Sequence, residues 1–203
     1  WHAVRAQAAA RGIQLFGDMP IFVAHDSADV WAQRDLFRLD AEGHPTVVAG
    51  VPPDYFSETG QRWGNPHYNW AAMHADGFAW WRARLTAHFE WFDLVRIDHF
   101  RGLAAAWEVP AAEPTAIHGT WVEAPGAALL QAIADEMGNL PLVAEDLGII
   151  TPDVTALRHQ FGLPGMAVLQ FAFDHHADNP HKPENVMPDT VYYTGTHDND
   201  TTL

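Results

Sequence analysis

Five short, continuous apolar segments constrain the fold of this chain more than any other feature of its sequence. They cover residues 13–16, 93–97, 140–144, 167–171 and 190–194. Because these segments do not alternate apolar with polar residues, they are typical of parallel strands that are buried on both faces. Helical patterns lie between them, at residues 75–92, 125–137 and 151–161. This alternation of strands and helices predicts an α/β fold built from βα repeats.

The segment at about 18–75 departs from this alternation. It is rich in Pro, Gly, Asp and Asn and is too long for an ordinary connection between two strands. Its aromatic residues argue against disorder, and residues 46–49 predict a small additional strand. We therefore expect a single domain over residues 1–203 that contains an inserted loop region or subdomain at about 18–75.

Both ends of the sequence fall inside predicted elements. Residues 1–11 have the pattern of the later part of a helix, which Gly12 ends, and no initiator Met precedes them. The last predicted strand ends nine residues before Leu203. We expect the sequence to be an internal piece of a longer protein.

Charge and composition exclude several classes of protein. The chain has 11 basic and 26 acidic residues and a formal net charge of −15, which disfavours nucleic acid and anionic membranes as partners but not a neutral substrate. The absence of cysteine excludes disulfide scaffolds, cysteine-ligated metals and thiol catalysis. No segment approaches the roughly 18 apolar residues of a membrane helix, and no signal-peptide pattern is present, so we expect a cytoplasmic protein. Nine Trp residues suit the stacking of sugar faces, although several are expected to be core.

Polar residues follow the predicted strands at the points where the strands end. These residues are Asp18, Arg96, Asp98, His99, Glu145, Asp146, Asp174, His175, His197, Asp198 and Asn199. In a (β/α)8 barrel the carboxyl ends of the strands form the active-site face. We therefore expect carboxylates from four or five strand ends to converge on one pocket.

Two of these strand ends suggest acid–base chemistry. Arg96 and Asp98 share one face of a strand, where the Arg would lower the pKa of the Asp as a nucleophile requires; a purely structural ion pair fits the same spacing. The apolar residues before Glu145 would raise its pKa and keep it protonated as a general acid, although a helix-capping carboxylate fits that position too. Two carboxyl groups with separated pKa values are what glycosidic bond cleavage uses.

A metal or phosphate site is the competing interpretation of the polar clusters. The pairs formed by His25, His99 and His197 with neighbouring Asp residues could be drawn together as metal ligands. However, the sequence has neither an H-E-x-x-H motif nor an H-x-H motif after an early strand, and no phosphate-binding glycine loop follows a strand. We expect no metal and no organic cofactor.

Six segments of the sequence resemble those of one known family. They are residues 17–31 (GDMPIFVAHDSADVW), 50–57 (GVPPDYFS), 60–66 (GQRWGNP), 95–102 (VRIDHFRG), 143–148 (VAEDLG) and 193–201 (YTGTHDNDT). In this order they are similar to the 4-α-glucanotransferases of glycoside hydrolase family 77, the amylomaltases or disproportionating enzymes of the α-amylase clan. The resemblance implies a (β/α)8 TIM barrel of which this chain supplies roughly strands three to seven.

The resemblance also implies roles for individual residues. Asp98 would be the nucleophile, Glu145 the acid/base and Asp198 a third carboxylate that steadies the transition state. The residues that would bind the substrate are Asp18, Tyr55, Phe56, Gln61, Trp63, Arg96 and His197. Tyr55, Phe56, Gln61 and Trp63 would belong to an aromatic loop that lines the groove and excludes water.

The implied activity is a retaining transfer of α-1,4-glucan segments between malto-oligosaccharides or starch chains, in starch and glycogen metabolism. It would proceed through a β-glucosyl-enzyme and would need a separation of about 5–5.5 Å between the two carboxyl groups. Three alternatives stay open: an α-glucan hydrolase on the same scaffold, a non-catalytic glucan-binding protein and a metal-dependent barrel hydrolase. Transfer requires that water be kept from the site, and binding alone does not require all three carboxylates.

Overall fold

The computed structural model describes residues 1–54, 57–197 and 199–202. In chain order its α-helices are α1 (His2–Ala9), α2 (Ala28–Ala32), α3 (Trp70–Ala75), α4 (Ala79–Trp91), α5 (Gly126–Met137) and α6 (Pro152–Gln160). Its strands are β1 (Phe16–Pro20), β2 (Val47–Val51), β3 (Gln61–Pro66), β4 (Leu94–Asp98), β5 (Ala105–Pro110), β6 (Thr120–Glu123), β7 (Leu142–Ala144), β8 (Gly165–Val168) and β9 (Thr190–Tyr193). Within these ranges no helix has the length and apolar character needed to cross a membrane.

The chain forms two compact units. The first consists of residues 1–19, 91–100 and 140–203, and the second of residues 20–90 and 101–139.

The first unit contains the five strands that the apolar segments predicted. Three of them form a sheet in the order β1–β4–β7, and β8 pairs in parallel with β9. The ladder between β4 and β7 is also parallel, with Val95 opposite Leu142 and Ile97 opposite Ala144, all four fully buried. The amide of Ala144 donates to the carbonyl of Pro164 at 2.8 Å, which holds the end of β7 against the residue before β8. Parallel pairing is confirmed for β4, β7, β8 and β9. Burial along the whole strand is confirmed only for β7 and β8, because β4 alternates buried with half-buried residues and β9 is half-buried, with Tyr192 exposed.

Two of these strands begin or end elsewhere than predicted. β1 starts at Phe16 and not at residue 13, because Ile13 lies exposed after the turn at Gly12 while Gly17 and Met19 are buried. β8 begins two residues earlier than predicted and ends at Val168. Residues 169–171 form a 3-10 turn that leaves Phe171 43% exposed.

The helix predicted over residues 75–92 is two helices, α3 and α4. The chain breaks between them at Gly77 and Phe78, which both take left-handed backbone angles of +67° and +58°. The amide of Phe78 donates to the carbonyl of Met73 at 2.7 Å and so closes the end of α3. The helices predicted at 125–137 and 151–161 are confirmed as α5 and α6.

The second unit is built around an antiparallel sheet. Its strands run in the order β3–β2–β5–β6, and β2 confirms the strand predicted at residues 46–49. Aromatic side chains fill the core beside the helices: Tyr68 and Trp81 are almost completely buried and their rings lie 5.5 Å apart. Tyr68 also donates its hydroxyl to the carbonyl of Ile21, so this buried polar group is satisfied.

Gly17 in β1 provides a test of how tightly the first unit is packed. A Cβ added at this position would lie 2.3 Å from the ring of Phe92, so we expect Gly17→Ala to destabilise the protein by about 1–3 kcal/mol. Chemical denaturation would measure the change. In a Phe92→Leu background the same substitution should cost clearly less, and an equal cost in both backgrounds would contradict the proposed contact.

Candidate active site

The parallel pairing of β4 with β7 brings two of the predicted carboxyl groups to one end of the sheet. Arg96 and Asp98 lie on the same side of β4, as residues two apart on a strand do. Ile97 stands opposite Ala144, the last residue of β7, so Glu145 follows directly beside them. Two backbone bonds of 3.0 Å fix this arrangement, one from the Glu145 amide to the Ile97 carbonyl and one from the Phe100 amide to the Glu145 carbonyl.

The guanidinium of Arg96 joins three of the strands. It binds Asp18 of β1 through two bonds, Nε to Oδ1 at 2.9 Å and Nη2 to Oδ2 at 2.7 Å. The same Nη2 lies 3.0 Å from Oδ1 of Asp98. Its Nη1 contacts the sulfur of Met166 in β8 at 3.7 Å. The bonds to Asp18, together with the charges of Asp98 and Glu145, raise the pKa of Arg96, so the guanidinium stays cationic between the carboxylates.

Glu145 lies in a different environment from Asp98. Burial raises the pKa of Glu145 to about 7, against the opposing effect of backbone bonds from Leu147 and His99, and the nearby charge of Asp98 adds to the increase. The amide of His99 donates to Oε2 at 2.7 Å and that of Leu147 to Oε1 at 2.9 Å. His99 lies in the turn that follows β4 and has a left-handed φ of +54°. The direction of this change agrees with the increase expected from the apolar residues that precede Glu145.

A cavity of about 300 Å³ opens beside this group. It brings together Asp18, Arg96 and His197, three of the residues predicted to bind substrate. Its other walls come from the first and last strands of the unit and from β8: Phe16, Gly17, Met166, Tyr193, Gly195 and Thr196. A volume of this size accommodates a small ligand.

Not every predicted residue belongs to this group. Asp174 is exposed, lies 3.8 Å from Lys182 and does not line the cavity, so its strand end does not join this group and at most four of the predicted strand-end carboxylates converge. Asp98 and Glu145 are also absent from the cavity lining and stand beside it, next to Arg96. The chain leaves β8 through a 3-10 turn, which places Asp174 beyond the strand end. Gln61 and Trp63 lie on β3 of the second unit, where the Trp63 indole donates to the Gln61 side chain at 3.1 Å. Asp198, Tyr55 and Phe56 lie outside the described residues.

Three contributors to the site had no individual role in the prediction, although Asp146 was among the strand-end residues. Met166 and Tyr193 line the cavity, and burial raises the pKa of the Tyr193 hydroxyl. Asp146, next to Glu145, accepts the Met166 amide at 2.7 Å and lies 3.3 Å from Nε of the buried Arg158. Tyr193 stands in one of the quoted motifs and could have been found there, whereas the pairing of Asp146 with Arg158 depends on tertiary contacts.

The arrangement of Asp98 and Glu145 suits acid–base and nucleophilic chemistry on a neutral substrate. A carboxylate paired with a guanidinium lies beside a carboxyl group whose pKa is about 7. Such a separation of environments assigns different roles to two chemically similar groups. In the part of the chain that the structure describes, no three His, Asp or Glu side chains are grouped to hold a metal ion.

The chain is similar to known proteins over its whole length. The family model for 4-alpha-glucanotransferase matches residues 1–203. A 4-alpha-glucanotransferase of Thermus thermophilus is 62% identical over 205 residues, which cover 100% of this chain and 41% of the relative. A chloroplastic/amyloplastic 4-alpha-glucanotransferase of Solanum tuberosum is 54% identical, with 99% of this chain and 35% of the relative covered. The chain therefore spans about two-fifths of the length of these curated relatives.

Solved structures agree with the sequence comparison. An amylomaltase from Streptococcus agalactiae in complex with acarbose superimposes with a TM-score of 0.95 at 42% identity, covering 98% of this chain and 40% of that structure. An amylomaltase from Corynebacterium glutamicum gives a TM-score of 0.84 at 24% identity, which indicates a common fold.

The raised pKa of Glu145 predicts a pH-dependent contribution to stability. The folded-state pKa is about 7, above the ordinary value of 4.5. The contribution of this group to the free energy of unfolding is therefore fully present below pH 4.5 and is lost as the pH rises through 7. We expect the stability of the wild type relative to Glu145→Gln to fall by about 3 kcal/mol between pH 4 and 8. Urea unfolding at several pH values would measure this, and a constant difference between the two proteins would contradict the assignment.

Proposed function

The chain belongs to the 4-alpha-glucanotransferase family, glycoside hydrolase family 77, and from this premise we propose that it supplies catalytic residues for a retaining transfer of α-1,4-glucan segments between malto-oligosaccharides or starch chains. The observation that supports this proposal most strongly is the juxtaposition of Asp98, paired with Arg96, and Glu145, whose pKa is about 7. A double displacement requires one ionised carboxylate as the nucleophile and one protonated carboxyl group as the general acid.

In the first step Asp98 is the nucleophile and Glu145 the general acid. An oxygen of Asp98 attacks the anomeric carbon of the donor glucan, and the bond to the glycosidic oxygen breaks. Glu145 gives its proton to that oxygen, so the leaving chain departs with a free 4-hydroxyl group. The product is a β-glucosyl ester on Asp98 and an ionised Glu145. Because its pKa is about 7, Glu145 holds the required proton in a large fraction of molecules at neutral pH.

The second step reverses the roles. Glu145 takes the proton from the 4-hydroxyl group of an acceptor glucan, and the acceptor oxygen attacks the anomeric carbon. The ester bond to Asp98 breaks, and the α-linkage is restored. Two inversions give net retention, for which we expect the carboxyl groups to lie about 5–5.5 Å apart.

The remaining predicted residues have supporting roles in this proposal. Asp18, Arg96 and His197, which share the cavity of the first unit, would hold the reacting glucose ring. Asp198 would be the third carboxylate. Gln61 and Trp63, with Tyr55 and Phe56, would line the groove and limit the access of water, which favours transfer over hydrolysis.

We further propose that the five strands of the first unit are strands three to seven of a (β/α)8 barrel. The order β1–β4–β7, the parallel pair β8–β9 and the bond between Ala144 and Pro164 support this assignment. Asp98 at the end of β4 and Glu145 just after β7 would then stand on the active-site face. Asp18 lies inside β1, which runs to Pro20, and reaches this face through Arg96.

Incubation with maltotriose tests the proposed activity. The protein used is the full-length protein, by which we mean this chain within a polypeptide of its relatives' length. We expect the wild type to form glucose together with maltopentaose and longer chains at neutral pH. Asp98→Asn should reduce the rate by at least about 10³-fold because the nucleophile is lost. Asp174→Asn, the same substitution at an exposed carboxylate outside the cavity, should leave the rate within about twofold of the wild type.

The products distinguish the proposed function from its alternatives. Glucose and maltose without longer chains would mean hydrolysis and would contradict the proposed exclusion of water. An unchanged substrate would favour a glucan-binding protein. Full activity in Asp98→Asn would show that another group is the nucleophile.

A further inference from the structure

The second unit contains an open cavity that the proposed reaction does not use. It has a volume of about 400 Å³ and lies where α2 faces the loop at residues 39–43. We call it the Trp31 cavity; the residues that define it are His25, Asp26, Trp31, Arg34, Glu42 and Gly43. The Trp31 side chain is 83% exposed, although exposing a large apolar ring to water is energetically unfavourable.

The wall of the Trp31 cavity is held in a defined shape. Arg34 donates to the carbonyl of Ala41 at 3.4 Å, and His25 bonds through Nε2 to the carbonyl of Gly43 at 2.8 Å. Gly43 has a left-handed φ of +95°, and a Cβ there would lie 2.3 Å from Nη2 of Arg34. Any other residue at position 43 would therefore displace the Arg34 guanidinium.

The polar groups of the Trp31 cavity suit a neutral, hydroxyl-rich ligand. The side chains of Asp26 and Glu42 have no hydrogen-bond or ion-pair partner among the residues that the structure describes, so their oxygens are available as acceptors. Arg34 supplies donors on the same cavity. Two carboxylates beside one guanidinium disfavour an anionic ligand, as does the net charge of −15.

A second cavity in the same unit extends this surface. It has a volume of about 380 Å³ and shares His25 and Asp26 with the Trp31 cavity. Its far side is formed by Trp63, whose side chain is 39% exposed, together with Gly64 and Asn65. Trp31 and Trp63 therefore line two cavities that share His25 and Asp26.

We propose that the Trp31 cavity binds the outer glucose residues of a long α-1,4-glucan that also contacts Trp63. This proposal rests on the proposed function, which makes such glucans the substrates. The indole of Trp31 would cover the apolar face of a glucose ring, while Asp26 and Glu42 accept bonds from its hydroxyl groups. A chain that spans both cavities needs several glucose residues, so the site selects long glucans over short ones.

Binding to inactive protein tests this selection. The full-length Asp98→Asn protein, which does not turn the ligand over, would be titrated calorimetrically with maltoheptaose and with maltotriose. We expect Trp31→Ala in this background to weaken the binding of maltoheptaose by about five- to tenfold and that of maltotriose by less than twofold. Trp31→Tyr should restore most of the affinity because a flat ring is retained. Trp91→Ala removes another exposed indole that lines neither cavity and should change nothing.

The possible outcomes separate failure of this proposal from failure of the proposed function. If Asp98→Asn protein binds neither glucan, the proposed function fails together with this inference. If it binds maltoheptaose equally well with and without Trp31, the inference alone is wrong. An equal loss for both ligands, or an indole of Trp31 that acrylamide cannot quench in the full-length protein, would also overturn it. Matching melting temperatures for Trp31→Ala and the parent would show that the fold is intact.

Discussion

The partly buried guanidinium of Arg96 is the constraint on which the structure of the site depends. Its side chain is only 11% exposed, and a buried charge is costly unless it is paired and hydrogen-bonded. Asp18 from β1 and Asp98 from β4 provide that pairing. The contacts that compensate the charge therefore also fix the relative position of β1 and β4, so the geometry of the carboxylates is tied to the stability of the sheet.

Asp98 and Glu145 lie near each other at one end of the sheet but in different environments. Asp98 is about half exposed and faces Arg96, whereas Glu145 is less accessible and has a pKa near 7. Backbone amides hold the Glu145 carboxyl group in place on both oxygens. In the proposed reaction these two carboxyl groups serve as proton donor and nucleophile, and burial of Glu145 is the main cause of the difference between them.

Much of this arrangement could be predicted from the sequence because it depends on local patterns. Continuous apolar segments located the strands, and the spacing of Arg96 and Asp98 placed both on one face. The predicted ends of the strands were wrong where tertiary contacts determine them. At Ile13, for example, nothing in the sequence pattern shows that the side chain is exposed. The break at Phe78 needs a left-handed backbone that is unusual for this residue type, and strands β5 and β6 lacked a clear apolar pattern. Contacts such as Asp146 with Arg158 join residues distant in sequence and leave no local signal.

Direct titration of Glu145 tests the central claim that one of two neighbouring carboxyl groups is held protonated. Side-chain carboxyl carbons of glutamate would be labelled with carbon-13 in the full-length protein, and the resonance of Glu145 would be identified by its absence from Glu145→Gln. We predict a chemical-shift transition with its midpoint at about pH 7. A midpoint near the ordinary value of 4.5 would mean that Glu145 is ionised at neutral pH, and would contradict its role as the general acid.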